Sequence, residues 1–397
     1  MSVDLSFPPR VQEIASRTSR FIEDVVIPVE DRSDGDIVAA GGEDTRRDLQ
    51  RAARSFGVFA PHASAEYGGH GLGILDCIPV FEAAGYSLFG PLALNIAAPD
   101  EGNVHLLAHV ANAEQKERYL APLARGDIRS AFAMTEPSPG AGSDPAALTC
   151  KAEKVSGGWR INGRKWFITG ADGASVFITV ARTSGEPGEP GGATMFLVAS
   201  DSDGLEVGRH INTLDRAMIG GHCEVTFRDV FVGDDDVLGD VDQGLVHAQV
   251  RLGPARMTHV MRWLGAARRS HDAAVSHVAQ RRAFGARLGD LGMVQQMIAD
   301  NEIDLAATRA LLVQACWELD AGQRAGMSTS VAKTFAAEAL FRVVDRSVQM
   351  CGGLGVSSDL PVARIYREMR PFRIYDGPSE VHRWAIARRA LRAVSAE

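Results

Sequence analysis

Two segments carry the side chains best suited to chemistry. Ile374 to Arg383 reads IYDGPSEVHR and presents a carboxylate, Asp376, on an Asp-Gly-Pro turn that enters a helix. Met134 to Asp144 reads MTEPSPGAGSD, a polar loop with two glycines after an apolar run. A carboxylate fixed on a turn can act as a general base. A Gly-rich loop lets backbone N–H groups approach a phosphate-bearing cofactor closely. A base and a cofactor loop far apart in one chain point to a redox enzyme.

Other segments are weaker or fail. Gly158-x4-Gly163-Arg164-Lys165 approaches a phosphate-binding P-loop, but its lysine is displaced by one and the context is a hairpin. It reads as an ordinary strand. His105 and His109 are four apart on a helical stretch, yet the HExxH glutamate is missing and no third ligand is evident, so no metal is expected. No G-x-G-x-x-G follows a strand, which leaves a Rossmann domain unsupported. WFITG (Trp166 to Gly170) sets aromatics beside a hydroxyl. RRAFG (Arg281 to Gly285) sets cations and an aromatic at a helix end. QMCGGLGV (Gln349 to Val356) ends a helix on two glycines.

Three zones must position these groups. Residues 1–130 read as helical: Val11 to Val29 stops near Pro28, and Leu49 to Val58, Leu75 to Gly85 and Ala113 to Leu123 follow. Residues 131–240 read as strands, with Ala131 to Thr135, a hairpin through Gly157-Gly158, Ser175 to Arg182, Thr194 to Ala199 and Cys223 to Val232. Six or so antiparallel strands of this length predict a small barrel or sandwich. Residues 241–397 return to helical spacing and predict a four-helix bundle. The fold class is therefore α+β and multi-domain.

Composition excludes some functions. The 397-residue chain has a net charge of −8, which argues against nucleic acid or an anionic membrane as main partner. Its five cysteines, Cys77, Cys150, Cys223, Cys316 and Cys351, are scattered and odd in number, as expected for a reducing cytoplasm. Neither a signal segment nor a run of transmembrane length is evident, so no membrane insertion is expected.

In this order and at these separations, MTEPSPGAGSD, WFITG, RRAFG and QMCGGLGV resemble the signatures of the acyl-CoA dehydrogenase family. The resemblance covers nearly the whole chain. APDEGN (Ala98 to Asn103), GGHCEVTF (Gly220 to Phe227), RLGPAR (Arg251 to Arg256) and DGPSEVH (Asp376 to His382) resemble one branch. Its animal members carry an extra kinase-like domain and act on acyl-CoAs that include 4-hydroxyacyl-CoAs; no kinase-like domain is present in these 397 residues. The implied fold is an N-terminal helical domain, a central β-barrel and a C-terminal four-helix bundle.

The resemblance implies FAD between barrel and bundle. Thr135 and Thr169 match hydroxyls near the flavin ring, Phe167 the aromatic packed against it, and Ser143 the serine at the pyrophosphate. Met134, Gly142, Ser379 and Glu380 fall in the same cofactor set. Arg281, Phe284, Gln349, Gly352 and Gly353 match positions that reach the FAD of a neighbouring subunit, implying a homo-oligomer, dimer or tetramer. Asp376 matches the base, usually a glutamate. Some members move the base to the position of Ala255, where alanine cannot act. Asp100, Asn103, Arg256 and Gly377 fall on the substrate side. Ser138-Pro139 lengthens the first signature, Gly292 stands where many relatives have glutamine, and Val356 replaces an aromatic.

The implied reaction removes an α-proton from an acyl-CoA through Asp376, whose pKa is expected to rise on desolvation by substrate and flavin. The β-hydrogen goes to the flavin, and electrons pass to an electron-transfer flavoprotein. Two alternatives stay open: a flavin oxidase of the nitroalkane-oxidising type, and a DNA-associated flavoprotein with little dehydrogenase activity.

Overall fold

The structure is a computed structural model that describes residues 6–323 and 325–395. Helices come first. Pro9–Phe21 buries Val11, Ile14, Thr18 and Phe21 at helical spacing. The helix does not stop at Pro28: it passes through a π turn, Ile22–Val26, and continues over Ile27–Arg32. The wider turn puts Pro28 at the start of the new stretch, where its missing N–H has no bond to lose. Glu43–Ser55, Ile74–Gly85 and Asp100–Val110 complete the larger helices of this part.

The middle of the chain forms one eight-stranded sheet. Its strands are β1 (Ser130–Ala133), β2 (Lys151–Val155), β3 (Gly158–Thr169), β4 (Val176–Arg182), β5 (Ala193–Ala199), β6 (Leu205–His210), β7 (His222–Gly233) and β8 (Val237–Leu238). The order is β6-β7-β3-β2-β4-β5-β8, with β1 also beside β4. The sheet is mixed rather than antiparallel throughout. β1 runs parallel to the first half of β4, and β2 pairs parallel with Arg182 at its end. β4 is buried along its whole length, which suits a strand whose only polar residues are Thr179 and the terminal Arg182. Phe177, Phe196, Trp159 and Phe227 fill the sheet's own core. Ile178, Val180, Met195 and Leu197 point the other way and join the core of the helical parts.

The bundle comprises Gly244–Gln280, Gly292–Asp320, Gly326–Cys351 and the last helix, Ser379–Ser395, with a short helix Val362–Met369 before it. The longest helix, Gly244–Gln280, also packs on Ile74–Gly85. Two glycines let these backbones touch: a Cβ on Gly85 would lie 2.1 Å from the Arg262 carbonyl, and one on Gly265 would lie 2.0 Å from that of Glu82. Among the described residues no helix is long and apolar enough to cross a membrane.

Candidate active site

Asp376 sits between the short 3-10 turn Arg370–Arg373 and the last helix, with φ +54°, followed by Gly377 at φ +95°. Three side chains from three places hold this turn by its carbonyls. Arg256 Nε donates to the Asp376 carbonyl at 3.0 Å, and His382 Nε2 lies 3.1 Å from the same oxygen. Buried Lys333 donates from Nζ to the Phe372 and Gly377 carbonyls at 2.9 and 2.8 Å. The backbone is thus fixed while the carboxylate is left free. Its side chain is 18% exposed, and Oδ2 has no hydrogen-bond donor. His259 Nδ1 lies 3.2 Å away but is directed at the Ala255 carbonyl, 2.6 Å distant. At the alternative base position Ala255 offers only a buried methyl and that carbonyl.

Burial pushes the Asp376 carboxyl up, but His259, Arg251, Arg256 and Lys333 outweigh it and hold it below the usual carboxylate range. In the chain alone four basic groups facing this acid set the direction, whereas the rise expected from sequence is one that bound substrate and flavin would bring. Burial, with Arg262 beside it, pushes His259 down to about 4, so its ring is uncharged near neutral pH and charged only in the acid range where Asp376 itself titrates. Burial lowers Lys333 to about 8.

The substrate-side expectations meet a network. Asp100 Oδ1 accepts from the Ser130 backbone and hydroxyl at 2.8 and 2.6 Å. Asn103 is fully buried, donating to Ser130 Oγ and accepting from Arg251 Nε, both at 2.8 Å. Both residues brace the start of β1 against the long helix. Gly377 belongs to the turn that carries Asp376, and Arg256 reaches that turn from the long helix Gly244–Gln280.

The cofactor expectations divide into two groups. The loop Met134 to Asp144 is pinned by Glu136, which sequence reading passed over. Glu136 accepts from the backbones of Thr149 and Cys150 at 2.7 and 2.9 Å and pairs with Lys165 at 2.8 Å, both side chains fully buried. Lys165 also donates to the Met134 carbonyl at 3.1 Å. The lysine of the discarded P-loop match is therefore the anchor of the Met134–Asp144 loop. Beyond it β3 slips register between Lys165 and Ile168, and Phe167 takes φ +51°. That bulge turns Phe167 outward, 45% exposed, while the Trp166 N–H bonds the Thr135 carbonyl at 3.0 Å. Thr135, Phe167 and Thr169 thus lie along one stretch of the sheet. Gly142 and Ser143 are exposed on the loop, and a Cβ at Gly142 would meet nothing within 4 Å. Ser379 is buried and Glu380 exposed at the head of the last helix.

The second group lies at the far end of the long helix, roughly 30 Å from His259 at 1.5 Å per residue. Arg281 follows that helix, and Phe284 with Gly285 makes a turn of two positive-φ residues between the two-residue strands Arg282–Ala283 and Ala286–Arg287. Phe284 is 94% exposed. Gly352, φ +57°, caps Gly326–Cys351, and Gln349, Gly352 and Gly353 are exposed. The two helix ends meet over Ala274, Val278, Met350 and Cys351. These residues come together with one another but not with Asp376.

Exposed aromatic, nearby hydroxyls and open glycine loop fit a flavin nucleotide, and the Asp376 oxygen without a donor is free to accept a proton. Comparison with known proteins agrees. Three family models match in order: the acyl-CoA dehydrogenase N-terminal domain over residues 8–127, the middle domain over 131–230 and the C-terminal domain over 242–391. The chain is 35% identical to "Probable acyl-CoA dehydrogenase FadE2" of Mycobacterium tuberculosis, over 98% of this chain and 97% of that one. It is 32% identical to acyl-CoA dehydrogenase family member 11 of Mus musculus over 96% of its length, but spans only 50% of that relative. Butyryl-CoA dehydrogenase from Megasphaera elsdenii has the same fold, with TM-score 0.87, 26% identity and coverage of 98% and 100%. An FAD complex of PigA matches with TM-score 0.88 and 26% identity, covering 98% of this chain and 99% of that one. The chain belongs to the acyl-CoA dehydrogenase family, and it is an oxidoreductase with FAD as its cofactor.

Proposed function

We propose that this protein oxidises an acyl-CoA thioester to its 2-enoyl thioester, with Asp376 as the base. The carrying observation is the unpartnered Asp376 Oδ2 on a turn whose Phe372, Asp376 and Gly377 carbonyls are held by side chains from behind. Ionised at neutral pH, that oxygen accepts the α-proton of a thioester brought against it. Lys333, Arg256 and His382 keep it in place during the transfer, since an ångström of misplacement costs on the order of a hundredfold. When bound, FAD supplies the acceptor for the two electrons that leave with the β-hydrogen. Met134, Thr135, Gly142, Ser143, Phe167 and Thr169 would hold it in the same chain, with Ser379 and Glu380 beyond the base.

Arg281, Phe284, Gln349, Gly352 and Gly353 would touch the cofactor of a neighbouring copy. Their distance from Asp376 along the long helix supports that reading and hence a homo-oligomer. An electron-transfer flavoprotein is the proposed electron acceptor. Anaerobic addition of an acyl-CoA panel to the purified yellow protein tests the reading. Bleaching of the flavin by at least one thioester is expected; a panel that leaves the colour untouched refutes it.

A further inference from the structure

One polar chain on the flavin side of the site has no role in the reading above. Thr169 ends β3 and pairs in register with His222, the first residue of β7. Thr169 Oγ1 lies 2.9 Å from His222 Nδ1, and His222 Nε2 lies 2.7 Å from Asp215 Oδ2. The Asp215 and His222 side chains are only 11% and 16% exposed. Burial pushes the Asp215 carboxyl up, but hydrogen bonds from His222 and Thr213 win and hold it below the usual carboxylate range. An ionised carboxylate can only accept. On a neutral imidazole Asp215 therefore keeps the single ring proton on Nε2, which leaves Nδ1 as an acceptor. The Thr169 hydroxyl must donate to Nδ1, so its lone pairs face away from His222.

We propose that Asp215 and His222 are positioning residues that set the Thr169 hydroxyl as a hydrogen-bond acceptor toward the flavin ring. The inference rests on the reading that puts Thr169 beside that ring. A reduced flavin carries a ring N–H that the oxidised form lacks, so an acceptor there favours reduction. Asp215→Asn should reverse the arrangement. Its amide can donate to Nε2, which moves the imidazole proton to Nδ1. Nδ1–H then donates to Thr169, whose own proton turns outward and favours the oxidised ring.

The test is the midpoint potential of bound FAD in the parent and four variants, with FAD content and melting temperature measured alongside. Thr169→Val and His222→Leu should lower the potential. Asp215→Asn should lower it by about 30 mV or more, a tenfold change for a two-electron couple. His222→Asn keeps a side-chain oxygen near the place of Nδ1 and should hold the parent value. If Thr169→Val leaves the potential unchanged, the placement of Thr169 fails and the inference with it. If Thr169→Val lowers it while Asp215→Asn and His222→Leu do not, the inference alone is overturned. Should Asp215→Asn not fold, the contrast between His222→Leu and His222→Asn decides, and equal potentials for those two overturn it.

Discussion

In the proposed reaction Asp376 supplies a single oxygen, and many other side chains hold the turn that carries it. Asp376→Asn should cut flavin reduction by acyl-CoA about a thousandfold while FAD stays bound, as rapid-mixing absorbance would show. Its carboxyl lies below the usual range, so kcat/KM should stay level on the acid side and fall only as pH drops through that low value. Lys333→Met removes a positive charge facing Asp376, so the acid limb of the pH profile should move to higher pH. It also frees the Phe372 and Gly377 carbonyls, so kcat should fall with it. The carboxylate itself was legible in the sequence because an Asp-Gly-Pro turn before a helix is a local pattern. Its guards were not. Lys333 lies in one bundle helix, His259 about four turns into another, and nothing local says that both face residue 376.

The element scale repeats this lesson on the barrel side. Strand and helix zones were readable because hydrophobic spacing is set within each segment. The parallel placement of β1 and β2 on β4 was not, since it depends on partners distant in sequence. The Met134–Asp144 loop owes its shape to the Glu136–Lys165 pair, whose members look ordinary one at a time. Removing one partner leaves a buried charge alone, so Lys165→Met should cost about 3–5 kcal/mol of stability and reduce FAD content. Glu136→Leu added to it should recover part of that loss, because no unpaired charge then remains. Denaturant melts of the single and double variants check both outcomes.

At the scale of the whole molecule the three parts are tied at one loop. The Arg216 carbonyl accepts from Ile37 of the N-terminal part at 3.1 Å, and the Arg216 and Ala217 N–H groups donate to Glu368 of the bundle. Burial, and then Asp215, pushes the Glu368 carboxyl up to about 8. In the unfolded chain Glu368 ionises in the ordinary carboxylate range. As pH rises, the unfolded chain therefore loses this proton first, and stability declines from that range up to about pH 8. Glu368→Gln should flatten the decline, seen as a smaller difference between melts at about pH 5 and about pH 8. The strap through Arg216 also bears on dissection of the chain. A barrel cut free at both ends would leave two amides stripped of their acceptor, and a severed bundle would expose an acid that burial and Asp215 no longer keep protonated. Each fragment would be a worse protein than its share of the intact one.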